Sequence, residues 1–366
     1  MAAATGPLEG LRIVELDAIG PVPLASMILA DLGSEIIRIA RAPNSGQTWD
    51  DTGGSVLHRN RRHVHLDLKN PDHREQALAL IERADALIEG FRPGVTERLG
   101  LGPDICLGRN PALVYARMTG WGQTGPLAPR AGHDINYIAV TGALHAMGDP
   151  GSPPPPPLNL VGDYGGGAMF AVVGILAGVL KARASGKGEV VDIAMTDGSA
   201  ALTSLFHAFS ASGLWRDQRG GNLLDGSKPF YRCYACSDGR HVAVGSLEPQ
   251  FFAQLLIGLG IAPDRFSQFD PSGWPAMQAA FEAVFATRTR DEWVSVFEGT
   301  DACVSPVLSF GEAPSHAHNQ ERNTFVTVDG VAQPAPAPRF SQSPTAVAPD
   351  RRGLMTIDEA IAAWRT

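Results

Sequence analysis

The first 120 residues alternate short apolar runs with helix-like segments, and this alternation restricts the fold more than any other feature of the chain. Leu11 to Leu16 (LRIVEL) reads as a strand, and Pro21 to Leu32 reads as a helix stopped at Gly33. Further strands are predicted at 35–39 (EIIRI), 63–68 (HVHLDL), 86–91 (ALIEGF) and 112–120 (ALVYARMTG), with a helix from residue 74 (REQALALIERA) between them. Strands that are apolar along their length need both faces covered, so the pattern predicts an α/β fold around a mainly parallel sheet. Ligands of such sheets sit at the carboxyl ends of strands.

From Lys228 the signals change to a strand, a D-G turn and a strand (FYRCYACSDGRHVAVG), followed by a helix after Pro249. Helical stretches over 275–286 and 291–298 and the strand-like CVSPVL complete a second, smaller α/β unit. Past residue 323 come FVTV-DG-VAQP, an extended PAPAPRFSQSP and a last helix from Thr356. The proline tract Pro153 to Pro157 suits an extended connector.

Composition removes several function classes. With 44% apolar and 19% charged residues the chain can bury a core, so disorder is not its main state. Lys+Arg 30 against Asp+Glu 38 leaves a net charge of -8, which argues against nucleic acid as a partner because phosphate neutralisation dominates that affinity. Cys106, Cys233, Cys236 and Cys303 are too few for a disulfide framework; reduced thiols and a cytoplasmic location are expected. The opening MAAATGPLEGLRIVEL lacks a basic stretch followed by an apolar one, so no signal peptide is expected, and Trp364-Arg365-Thr366 does not match a peroxisomal S-K-L address. The longest apolar run, Ala168 to Leu180, is shorter than the roughly 20 residues a bilayer requires, so a buried helix and no membrane partner are expected.

Single motifs are ambiguous. Gly120-Trp121-Gly122-Gln123-Thr124-Gly125 matches a dinucleotide fingerprint, but the prolines that follow preclude the helix such a site needs. No phosphate loop of the G-x-x-x-x-G-K-[ST] type and no G-x-S-x-G elbow occur. His63 with His65, His316 with His318, and the Cys233/Cys236 pair lack the further ligands a metal site requires. Arg38, Arg41, Arg59, Arg61, Arg62, Lys69, Arg92 and Arg98 form a basic set that suits either a polyphosphate or a solvated rim. Asp163 precedes a glycine-rich helix entry, where it could cap the helix while free N–H groups face a ligand. Met147, Met169 and Met195 could line an adaptable acyl surface or simply fill the core.

Taken in order, LEGLRIVEL, LADLGSEIIRI, RNRR, EGFRPGVTERLGLGP, ARMTGWGQTGP, GHDINY, NLVGDYGGG, DGSAAL and VAVGSLEPQF resemble the α-methylacyl-CoA racemases of the family III CoA-transferase superfamily. The resemblance implies an interlocked homodimer. Each chain would have a large Rossmann-like domain over 1–195 to which 330–366 return, linker helices over 196–227, a small domain over 228–322 and a return linker over 323–329. It implies that His133 and Asp163 act as two bases on a 2-methylacyl-CoA thioester and that Glu248 of a second copy supports the histidine. CoA contacts are implied for Arg41, Arg59, Arg62, Leu66, Lys69, Glu89, Gly90, Phe91, Arg92 and Arg98. Substrate or CoA contacts are likewise implied for Gly132, Asp134, Asn136, Tyr137, Gly162, Tyr164, Gly165, Gly166 and Gly167, and backbone N–H groups at the helix start around Asp163-Tyr164-Gly165 are expected as enolate donors. Metal, nicotinamide and flavin are not required, CoA being part of the substrate. A CoA-transferase using Asp163 as nucleophile is the alternative. Asp17 departs from the family pattern, in which the first loop is apolar.

Overall fold

The computed structural model describes residues 6–41, 54–348 and 353–364. It divides into two units, one of Met1–Ala143, Pro156–Thr203 and Arg322–Thr366, the other of Leu144–Pro155 and Ser204–Glu321.

The first unit is built on seven strands: β1 (Arg12–Leu16), β2 (Glu35–Ala40), β3 (Arg62–His65), β4 (Ala86–Glu89), β5 (Val114–Thr119), β6 (Glu189–Ala194) and β12 (Gly353–Leu354). Their order is β12-β3-β2-β1-β4-β5-β6, and every neighbouring pair is parallel. Strand order therefore reverses between β1 and β4, the arrangement whose carboxyl-end crevice receives ligands. Alternate side chains feed two cores. Ile13, Ile88, Val114 and Ile193 pack with α1 (Pro21–Asp31) and α7 (Met169–Ser185). Val14, Ile37, Leu87 and Tyr115 pack with α3 (Pro71–Ile81), α5 (Pro103–Arg109) and α14 (Ile357–Ala363). Short helices α2 (Gly54–Leu57), α4 (Val95–Arg98) and α6 (Asp134–Ala139), together with α8 (Met195–Leu202), complete the unit, as does the antiparallel hairpin of β10 (Phe325–Val328) and β11 (Val331–Pro334).

The expected apolar helix is longer than its sequence run. A π-helical segment, Leu160–Ala168, leads directly into α7, giving 26 residues of a length and composition able to cross a membrane. Its Ala171, Ile175, Val179 and Ala182 instead lie in the core against the sheet.

The second unit carries the antiparallel sheet β7 (Tyr231–Ala235), β8 (His241–Gly245) and β9 (Val304–Pro306), covered by α10 (Pro249–Gly258), α11 (Trp274–Phe285) and α12 (Arg290–Phe297). Phe230, Tyr234, Phe252, Phe281, Phe285, Trp293 and Phe297 form its core. Helices α9 (Ser204–Ala211) and α13 (Ala317–Glu321) also belong here. The four cysteines are free thiols.

The division departs from the expected boundaries in several places. Residues 144–155 group with the second unit, where Arg219 donates to the carbonyls of His145 (3.0 Å), Asp149 (3.2 Å) and Ser152 (2.8 Å). Helix α8, expected as a linker, packs into the first unit. Residues 323–329 are not a linker, since they hold strand β10.

Two buried ion pairs tie distant segments of the first unit. Arg59, 2% exposed, meets Asp31 with Nε to Oδ1 at 3.1 Å and Nη2 to Oδ2 at 2.6 Å, and also donates to Gln333 Oε1 (2.9 Å) and the Pro334 carbonyl (2.7 Å). Arg61 pairs with Glu15 on the central strand. Removing one member of such a pair strands a buried charge. Arg59→Ala should lower the unfolding free energy by about 3–5 kcal/mol, read from urea midpoints. An unchanged midpoint would show that the hairpin and α1 hold without this bridge.

Candidate active site

Asp163 lies within the π-helical segment, and three elements meet at it. Its N–H donates to Asp134 Oδ2 at 2.7 Å, which ties the segment to the start of α6. Asn159, one wide turn earlier, donates from Nδ2 to Asp163 Oδ2 at 3.4 Å. From the β1–α1 loop comes Gly20 at φ 74, where a Cβ would stand 3.6 Å from Asp163 Oδ2. Burial pushes the Asp163 carboxyl above its ordinary pKa and the Asp134 charge adds to this; Asn159 and the charge of His133 pull the other way. His133 is exposed at the N-cap of α6, with its N–H held by Asn136 Oδ1 at 3.0 Å.

Tyr137 fixes the floor. Its hydroxyl donates to the Gly132 carbonyl, and its ring meets Trp121 edge-on at 4.8 Å. A Cβ on Gly120 would overlap that ring, which explains the first glycine of the G-x-G-x-x-G stretch without a dinucleotide. Burial raises the Tyr137 hydroxyl to about 12, the Asp163 charge raising it further and Arg92 lowering it. Tyr137, Asp163 and Arg92 thus share one electrostatic neighbourhood.

The glycines serve a different purpose from the one expected. A Cβ on Gly166 would lie 2.5 Å from Ser199 Oγ, and one on Gly198 would overlap the Gly166 carbonyl. Gly167 faces Met195 and Pro21, each 3.0 Å from a Cβ placed there, and Gly162 faces the Asp134 carboxylate at 2.6 Å. Gly165 sits against Leu202 at 3.0 Å. They let α8, α1 and α6 approach the π-helical backbone rather than admit a ligand. Nor is Asp163 a cap, because the helical segment starts at Leu160. The expected enolate donors are occupied: the Asp163 N–H by Asp134, the Tyr164 N–H by the Asn159 carbonyl at 3.2 Å, and Gly165 lies inside the π-helical ladder. Met195, 6% exposed, is core filling.

The basic set separates into two groups. Arg41 after β2, Lys69 in the loop after β3, Arg92 in the loop after β4 and Arg98 at the end of α4 are exposed. In this parallel register Ala40 is level with His65, so Arg41 and Leu66 leave the sheet at the same carboxyl edge. Phe91 is half-buried there and Gly90 is exposed, whereas the Leu66 side chain is in the core. Four other arginines do not serve a ligand at that edge. Arg59 and Arg61 are consumed in the buried pairs described above. Arg38 pairs with Asp17, Nε to Oδ1 at 3.1 Å, which also explains why an acid is tolerated in the first loop. Arg62 stands at the amino end of β3, lining a cleft of about 230 Å³ with Glu35 and Trp364. Glu89 is fully buried and holds Arg117 and the Phe91 N–H, so it does not touch a ligand either. Asn159 and Gly20 were not foreseen as site residues; the spacing of Asn159 and Asp163, close to one helical turn, was the available signal.

In the second unit Glu248 is exposed at the N-cap of α10. Its loop is fixed by the buried Gln268, whose Nε2 donates to the carbonyls of Ser246 (3.0 Å) and Leu247 (2.9 Å). Among the described residues no group of three or more His, Cys, Asp or Glu is placed to hold a metal ion.

A half-buried carboxyl within the electrostatic reach of a histidine, at the switch point of a doubly wound sheet whose edge is lined with exposed cations, defines a site for proton or acyl chemistry on an anionic ester. The model of CoA-transferase family III matches residues 8–351, and the chain belongs to that family. Within it the chain is closely related to the α-methylacyl-CoA racemases: it is 44% identical over 340 residues to the Mus musculus protein and 42% over 339 to that of Homo sapiens, covering 92% of this chain and 87% of each relative. The crystal structure of a CAIB/BAIF family protein from Brucella suis shares the fold, with a TM-score of 0.81 at 24% identity over 98% of both chains.

The raised Asp163 pKa gives a signed prediction. Folding favours the neutral acid, so the stability that Asp163 contributes is present below its ordinary value of 3.8 and is lost as pH rises through the folded value. Asp163→Asn should therefore be more stable than the parent near pH 7, with the difference shrinking as pH falls toward about 4 in urea titrations. A gap that widens on acidification would reverse the assignment.

Proposed function

We propose that the protein interconverts the two enantiomers of 2-methylacyl-CoA thioesters by moving a proton between His133 and Asp163. The observation that carries this is the half-buried carboxyl of Asp163, raised in pKa, within the electrostatic reach of His133. One group removes the α-proton, the C–H electron pair passes to the thioester oxygen as an enolate, and the other group returns a proton to the opposite face. For one enantiomer neutral His133 is the base and protonated Asp163 the acid; for the other the roles exchange. A nucleophilic aspartate needs the anion, so an environment that favours the neutral acid supports proton donation over the acyl transfer of the CoA-transferase alternative. The exposed Arg41, Lys69, Arg92 and Arg98 would hold the CoA phosphates and so position the thioester.

The homodimer belongs to the same proposal. In the first unit Leu160, Val173 and Leu180 are 56%, 63% and 72% exposed; in the second, apolar α9 buries none of its residues and Leu214 is 70% exposed. Apolar faces of this kind support burial against a second copy, whose Glu248 would then orient His133. A cytoplasmic location is proposed from the four free thiols.

Proton NMR of one enantiomer of a 2-methylacyl-CoA in D2O, without acceptor acid, tests the reading. Deuterium should enter the α-position as the other enantiomer appears, and His133→Ala and Asp163→Ala should each abolish inversion while CoA still binds. Absence of exchange with several such esters, together with acyl transfer once an acceptor acid is added, would assign the protein to CoA transfer instead.

A further inference from the structure

We propose that Glu89 is a positioning residue for the anionic end of the CoA ester, holding in place the loop that carries Arg92 and, through Arg117 and Glu97, the helix that ends at Arg98. This rests on the reading above that these two arginines face CoA phosphates.

The geometry is a chain of charge-assisted bonds beneath the carboxyl edge of the sheet. Glu89 closes β4 with no exposed surface, its Oε2 accepting from the Phe91 N–H at 2.6 Å and its Oε1 from Arg117 Nε at 2.9 Å. Arg117, on β5 and level with Glu89 in the sheet, continues to α4: Nη1 reaches Glu97 Oε1 at 2.7 Å, while Nη2 reaches Glu97 Oε2 at 3.2 Å and Thr96 Oγ1 at 3.3 Å. The short loop between β4 and α4 is therefore clamped at both ends, and Arg92 lies inside the clamp.

Arg98 is drawn into the same cluster. Gly94 has φ 81, and a Cβ there would stand 3.1 Å from Arg98 Nη1, so the guanidinium folds back over the turn that follows Arg92. The loop is also seated toward the reacting centre, because a Cβ on Gly90 would lie 2.8 Å from that of Ala18, in the β1–α1 loop that brings Gly20 to Asp163. Burial raises the Glu89 carboxyl to about 7 against the pull of the Phe91 N–H and Arg117. An apolar residue would fill this position at less desolvation cost, but it could not hold the Phe91 N–H and Arg117 together. Arg117, 7% exposed, is occupied by the two glutamates, so the clamp spends its own arginine internally and positions the exposed Arg92 and Arg98 instead.

The test compares two substrates carrying the same 2-methylacyl group, one on CoA and one on pantetheine, which lacks the nucleotide phosphates. Glu89→Gln should raise KM for the CoA ester about tenfold, or about 1.4 kcal/mol, while kcat and the KM for the pantetheine ester stay near parental values. Glu97→Gln breaks the far end of the clamp at a side chain that is 45% exposed, so it folds even where the buried variant does not, and the same split is expected from it. If both variants keep the parental KM for the CoA ester, or lose kcat equally with both esters, Glu89 is not a positioning residue although the CoA reading stands. If the parent itself shows equal KM for the two esters, the phosphate reading of Arg92 and Arg98 falls, and the proposal with it.

Discussion

The site depends on a backbone contact that leaves no room for side chains. Where α8 crosses the π-helical segment, Gly198 lies against the Gly166 carbonyl and Gly166 against Ser199, and a Cβ on either glycine would force the two apart. That contact holds open the wide helical turn on which Asp163 is displayed. π-Helical turns are rare because their geometry is unfavourable, and they persist where the surroundings impose them. Here the surroundings are α8 on one side, Pro21 of α1 on another, and the Asp134 carboxylate accepting the Asp163 N–H. Charge and backbone placement reinforce one another, since the acid that anchors the turn also contributes to raising the Asp163 pKa.

The parallel sheet supplies the second constraint. A strand buried on both faces can present polar groups only at its ends, so the ligand-facing residues of the first unit gather along the carboxyl edge. Three acids kept inside are matched: Glu15 by Arg61, Asp31 by Arg59, and Glu89 by Arg117. An acidic chain is thereby left with a locally cationic rim, because part of its arginine content is neutralised internally while Arg41, Lys69, Arg92 and Arg98 stay exposed.

Sequence reasoning located β1 to β5, the β7–β8 hairpin and the long helices from apolar periodicity, since each is a local pattern. It passed over β6, whose Val190 and Val191 run next to acidic Glu189 and Asp192, and the two-residue β12, which is too short to carry a period. The residues His133, Asp134 and Asp163 were legible as a motif series. Their arrangement was not, because the hydrogen bond from Asp163 to Asp134 spans 29 positions and leaves no trace in local spacing. The arginines show the same limit. Arg59 and Arg92 look alike in the sequence, yet one meets Asp31 from 28 positions away and the other faces solvent.

By itself, then, the sequence determined the class of fold, the identity of the chemistry-bearing groups and the family, all of which reside in short patterns and their order. Only the tertiary structure decided which glycines serve packing rather than ligand approach, which basic residues are buried in ion pairs and which stay exposed, and that Asp163 stands inside a π-helical turn instead of capping a helix. Those outcomes follow from contacts between segments far apart in the chain, where close approach and desolvation, rather than local propensity, set the energy.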